Sequence, residues 1–125
     1  MSIWDVKRLY KAFCFSCAGF RHAIRNGAAM RQELTAAAIL VPVSVLLPVS
    51  GMERLALVSS MMLVLLVELL NSAIEATVDR ISMEHSPLAG QAKDMASAAV
   101  LVALLMSGLC WAVIAGPVAV RWFRH

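Results

Sequence analysis

An all-helical membrane protein with three transmembrane helices and an N-terminal amphipathic surface helix is the fold class that three features of this 125-residue chain predict. Apolar residues make up 61% of it and charged residues 15%, with a mean hydropathy of +0.78. A soluble domain this small buries too modest a fraction of its surface to hide that much apolar area. Residues 34–52 and 95–120 carry no charge at all, and each run is long enough to cross a hydrocarbon core. Basic residues gather at one set of helix ends, the bias that orients membrane chains.

The length gives room for one domain, taken as residues 1–125. Its first segment, about 3–25, places Ile3, Val6, Tyr10, Phe13, Cys17, Phe20 and Ile24 on one helical stripe. Lys7, Arg8, Lys11, Arg21 and Arg25 lie mostly off that stripe. Such a helix suits the membrane interface beside anionic head groups. The stripe would equally serve to dock on the other helices, and both readings stand.

A first span is expected at about 30–49, with Pro42 and Pro48 marking kinks or an early end and Ser50-Gly51 a turn. A second is expected at about 52–82 and a third at about 91–121, separated by a polar loop near Glu84 to Gly90 that contains Pro87. Ala99, Ala103 and Ser107, then Gly108, Ala112 and Gly116, recur at four-residue intervals, a ladder that lets helices approach closely in lipid. Cys14, Cys17 and Cys110 fit no disulfide pattern, and a single C-x-x-C lacks two further metal ligands. They read as small apolar filler. No apolar signal region stands apart from the charges between Asp5 and Arg25, so the spans themselves are expected to direct membrane insertion.

Three spans put Lys7, Arg8, Lys11, Arg21, Arg25, Arg31, Arg80 and Lys93 on one side and Arg54, Arg121 and Arg124 on the other. The basic bias places the N-terminus and the second loop in the cytoplasm.

The anomaly is in the second span, where Glu68, Asn71, Ser72, Glu75 and Asp79 interrupt an apolar run. Asn71, Glu75 and Asp79 follow Glu68 at helical spacing and share its face. From Leu55 to Glu68 a helix rises about 20 Å, against a hydrocarbon core of ~30 Å. Glu68 therefore lies inside the membrane near its cytoplasmic side. An acid near a span's centre costs about 2.5–3.5 kcal/mol, less toward the ends. Such a stripe either glues helices together, Asn71 bonding across an interface and Asp79 pairing with Arg80, or forms a cytoplasm-facing cleft where carboxylates meet a cation or a hydroxyl. Lys93-Asp94 opens the third span on the same side; it suits phosphate oxygens and a helix N-terminus, or is simply a cap. There is no G-x-x-x-x-G-K-[ST] loop, kinase Gly-rich loop or H-R-D set. Phosphoryl transfer here would rely on positioned carboxylates, Mg2+ and basic residues, which suffices because that reaction needs mainly positioning and charge neutralisation.

The run Val67-Glu-Leu-Leu-Asn-Ser-Ala-Ile-Glu-Ala-Thr-Val-Asp-Arg80, with Ala92-Lys-Asp-Met-Ala-Ser-Ala-Ala-Val100 and Arg31-Gln-Glu33, resembles the signature of the prokaryotic diacylglycerol kinases. Arg8, Lys11, Ser16, Gly19 and Arg21 fall in register too, so the resemblance covers nearly the whole chain. It implies a homotrimer in the bacterial inner membrane, with active sites at the cytoplasmic surface shared between subunits and no nucleic-acid partner. It implies ATP- and Mg2+-dependent phosphorylation of diacylglycerol to phosphatidic acid. By the same resemblance Glu68 is the general base and Asn71 orients it. Glu75 holds Mg2+ on the ATP phosphates, and Arg8, Glu84, Ser86, Lys93 and Asp94 meet the nucleotide. Arg8, Arg21, Arg31, Glu33, Glu68 and Ser97 border the lipid.

Two positions depart from the family. The residue after Asn26, usually a glutamate that helps hold the metal, is Gly27. That contact is lost, replaced by water or taken up elsewhere. Ser86 stands where a histidine is frequent, with His85 beside it as a substitute. An undecaprenol kinase would differ only in the hydroxyl that enters the cleft. A non-catalytic membrane scaffold would explain Gly27 but not the retention of Glu68, Asn71, Glu75, Lys93 and Asp94 together. A transporter would need a through-pathway that acids near one surface do not make.

Overall fold

A computed structural model describes residues 5–81 and 86–124, and these fold into four helices: α1 (Val6–Asn26), α2 (Ala28–Leu46), α3 (Gly51–Ile81) and α4 (Pro87–Phe123). No strand occurs among the described residues. Helices α2, α3 and α4 are each long and apolar enough to cross a membrane. At 1.5 Å per residue, α2 is about 28 Å long and only just spans, whereas α3 and α4 reach about 46 and 55 Å and project beyond the hydrocarbon.

The ends of these helices follow from local chemistry. α1 starts after Asp5, whose Oδ1 accepts from the Lys7 and Arg8 backbone N–H groups at 3.1 and 3.3 Å. It stops at Gly27, an extended residue (φ −128°, ψ 117°) that is also the N-cap of α2. α2 runs through Pro42 but ends at Leu46, three residues before the expected limit. Pro48 lies just beyond, and its ring cannot continue a helix. α3 opens with a capping box: the Ser50 N–H donates to Glu53 Oε1 at 3.0 Å and the Glu53 N–H to Ser50 Oγ at 3.1 Å. α4 begins at Pro87, four residues earlier than the expected 91. Proline suits that first position because its φ is preset and its missing N–H would have had no partner.

α3 and α4 pack along matching stripes. Of the buried positions of α3, Leu57, Met61, Val64, Glu68 and Asn71 are spaced alternately by four and three residues, and Ser60 lies beside them. Ala96, Ala103 and Val118 are those of α4. This is the knobs-into-holes spacing of slightly crossed helices. At mid-span Ser60 Oγ and Ser107 Oγ share a hydrogen bond of 3.1 Å. Ala103 and Ser107 of the expected small-residue ladder face this seam, while Gly108 and Ala112 are exposed on the far side. Near the opposite end Leu47, Leu57 and Val118 form a small core, covered by Val49, Cys110, Trp111, Ile114 and Ala115.

Arg54 locks that end. Its Nε donates to the Ser44 carbonyl at 3.0 Å, and its Nη2 to those of Leu47 and Val49 at 3.1 and 3.4 Å. The last carbonyls of α2 have no partner within the helix, and one guanidinium reaches that of Ser44 and the two just beyond the helix at Leu47 and Val49. Arg54→Ala is expected to lower stability by about 2 kcal/mol, the scale of hydrogen bonds to a charged donor. Denaturant titration in mixed micelles measures this, and an unchanged midpoint would show that water replaces the arginine fully.

The stripe of α1 is not docked within the chain. Val6, Tyr10 and Phe13 are about 70% exposed (74%, 69% and 67%), and Ala23 is the one buried residue of the helix. Cys14 and Cys17, expected as filler, are free and exposed.

Candidate functional site

The α3 stripe that packs against α4 does not stop where packing stops. Beyond Val64 its next positions are Glu68, Asn71 and Glu75, and there the helices part to leave a cleft of about 970 Å³. One wall is α3, from Glu68 to Asp79. The others are the end of α1 with Gly19, His22, Ala23 and Asn26, the junction at Gly27 with the start of α2, and Ser97 and Val100 of α4. A packing seam thus becomes a site by exchanging apolar residues for acids at unchanged spacing.

Glu68 is 4% exposed and Asn71 8%. Asn71 stands between two carboxylates: its Nδ2 donates to Glu75 Oε1 at 3.3 Å, and its amide also lies against Glu68. The Asn71 Oδ1 is buried and has no hydrogen-bond partner among the described residues. An unpartnered acceptor beside a buried carboxylate is the arrangement a ligand hydroxyl would complete. Glu33 of α2 is partly buried, its Oε2 likewise without a hydrogen-bond partner among the described residues. Farther out Asp79 of α3 forms an ion pair with Lys93 of α4.

Glu68, Asn71, Glu75 and Ser97 therefore meet in one cleft, and Lys93 is tied to it through Asp79. Arg8, Arg21, Arg31, Ser86 and Asp94 are not on its walls. Arg31 caps α1 instead: its Nη1 donates to the carbonyls of Ile24 at 2.7 Å and Arg25 at 3.3 Å. Ser86 precedes the first turn of α4, Asp94 is exposed on that helix, and Arg8 and Arg21 are exposed on α1. Glu84 and its neighbour His85 lie outside the described residues. Two cleft residues, His22 and Asn26, were not singled out by sequence reasoning. They sit four apart, off the apolar stripe of α1, which is the one signal that could have marked them.

Gly27 has its own packing reason. A Cβ there would stand 3.1 Å from the Ala23 carbonyl oxygen, tight against backbone that holds the Gly27 N–H at 3.0 Å. Among the described residues no three acidic, histidine or cysteine side chains come together as a metal site. A small hard cation that keeps water and phosphate oxygens needs one or two protein carboxylates, not a full cage. Glu75, in the same cleft as the orphaned amide oxygen of Asn71, fits that demand.

The family model described as prokaryotic diacylglycerol kinase matches residues 14–115. A diacylglycerol kinase of Pseudomonas aeruginosa is 50% identical over 109 residues, covering 87% of this chain and 89% of its own. One from Escherichia coli strain K12 is 48% identical over 107 residues (86% and 88%), and one from Helicobacter pylori strain 26695 is 39% identical over 105 (84% and 82%). With a match that spans most of the sequence and reaches every wall of the cleft, the chain belongs to the prokaryotic diacylglycerol kinase family.

Proposed function

We infer that this chain is a diacylglycerol kinase, which transfers the γ-phosphoryl group of ATP to the free hydroxyl of diacylglycerol and yields phosphatidic acid and ADP. The observation that carries this reading is the meeting of Glu68, Asn71, Glu75 and Ser97 in one cleft of a chain of this family. The comparisons favour neither an undecaprenol kinase nor a scaffold.

The mechanism follows from the depth of each group. The lipid hydroxyl enters beside Glu68 and donates its one proton toward that carboxylate. As that oxygen bonds to the γ-phosphorus, the bond from phosphorus to the β–γ bridging oxygen breaks, the hydroxyl proton passes to the Glu68 carboxylate, and ADP leaves. Asn71 fixes the spacing of Glu68 and Glu75, since it touches both. Glu75 would hold Mg2+, which would supply neutralisation of the phosphate charge. Lys93 meets phosphate oxygens; Arg8, Glu84, Ser86 and Asp94 complete the nucleotide side. Arg21, Arg31, Glu33 and Ser97 border the lipid.

The assembly is read as a homotrimer in the inner membrane, with the N-terminus and the cleft on the cytoplasmic side. The exposed Gly108 and Ala112 and the uncovered leucines of α4 support contact with other copies. The exposed stripe of α1 supports its place in the membrane interface.

Labelled phosphate should pass from ATP to diacylglycerol in detergent micelles, and chelation of divalent metal should abolish the transfer. Thin-layer separation of the lipids reads the product; absence of labelled phosphatidic acid would refute the reading. Gly27→Glu is expected to run no faster than wild type, because its Cβ must press on the Ala23 carbonyl. A clear gain in that variant would show that a missing carboxylate limits the native enzyme.

A further inference from the structure

We propose that Asp79 is a positioning residue for the nucleotide: it draws the Lys93 ammonium from α4 to the α3 side of the cleft and holds it where phosphate oxygens arrive. This rests on Lys93 meeting the nucleotide, as proposed above, and adds what places it there. Lys93 is not itself among the residues lining the cleft, whereas Asp79 is. Asp79 ends the row of Glu68, Asn71 and Glu75, one turn beyond Glu75. Through the ion pair the ammonium reaches that row, where the charges of Asp79 and Glu75 both act on it.

The pair has little value as a structural tie. Its side chains are 42% and 63% exposed, and ion pairs in such surroundings add little to stability. α3 and α4 are already joined by the seam below. What the pair does control is the freedom of a long side chain. A lysine carries a compact charge on a flexible four-carbon stem with three donors. One carboxylate contact fixes the stem and leaves donors for phosphate. Without it the ammonium samples water beyond the cleft, and nucleotide binding must order it anew. Because the pair is neutral as a unit, Asp79 repels an incoming polyphosphate little, so positioning outweighs repulsion.

The test is steady-state kinetics of the full-length enzyme in micelles, with Asp79→Asn, Asp79→Glu, Lys93→Met and the Asp79→Asn/Lys93→Met double variant. Asp79→Asn should raise KM for ATP about five- to tenfold, with a smaller change in kcat and none in KM for diacylglycerol. Asp79→Glu should restore most of the affinity, and in the Lys93→Met background Asp79→Asn should add nothing. An unchanged or lowered KM for ATP in Asp79→Asn, or an equal further rise without the lysine, overturns the positioning role. If Lys93→Met alone leaves KM for ATP unchanged, the nucleotide role of Lys93 itself fails, an outcome distinct from the former two.

Discussion

Glu68→Gln is expected to lower kcat by about 10²–10⁴-fold, the range for loss of a general base, while KM for ATP stays close to the wild-type value. In the proposed mechanism the base contacts the lipid hydroxyl, not the nucleotide, so the loss belongs to the chemical step. Protein stability should not fall with it. Glu68 is 4% exposed at the end of an apolar seam, and burying a charge there is unfavourable. The near-isosteric amide removes that charge and keeps the volume. Unfolding at or above the wild-type midpoint, together with a collapsed kcat, is the result that identifies a catalytic role. Full turnover in the variant would assign the proton to another acceptor.

Glu75→Gln should be as damaging by a different route, about 10²-fold or more in kcat/KM, comparable to removal of one charge-stabilising group. Glu75 is exposed, so its substitution costs the fold little. The glutamine keeps an oxygen that accepts from Asn71 Nδ2, which isolates the charge as the variable. The diagnostic measurement is the Mg2+ concentration for half-maximal rate, which should rise well above wild type. An unchanged metal dependence would remove Glu75 from the metal site even if the rate fell.

The helices and the acidic row were legible because each depends on spacing alone. Glu68, Asn71, Glu75 and Asp79 share a face in any helix, wherever that helix sits. What remained hidden depends on how elements meet. His22 and Asn26 border the cleft only because Gly27 breaks the helix and sets α1 across the end of α3. Arg54 satisfies carbonyls five to ten residues back in the chain, a reach no local pattern encodes. Arg31 matches the lipid-bordering positions of the family yet its guanidinium caps α1, since a long side chain is placed by the nearest open carbonyls. The Asp79–Lys93 pair joins two helices whose register the sequence does not state. The Ser50–Glu53 box and Pro87 as a helix start were the opposite case: both signals were present locally and were read as turn and loop.

The cleft lies between a helix with an exposed apolar stripe and the projecting ends of two spans, and this sets how its two substrates are counted. One is dissolved in a volume, the other in a sheet. A lipid alcohol reaches a membrane enzyme by lateral travel, so its abundance is a mole fraction of its leaflet, indifferent to how much membrane the sample holds. The nucleotide comes from solution at an ordinary molar concentration. Diluting diacylglycerol with inert lipid should therefore slow the enzyme, whereas adding buffer at fixed ATP should leave the rate per enzyme untouched.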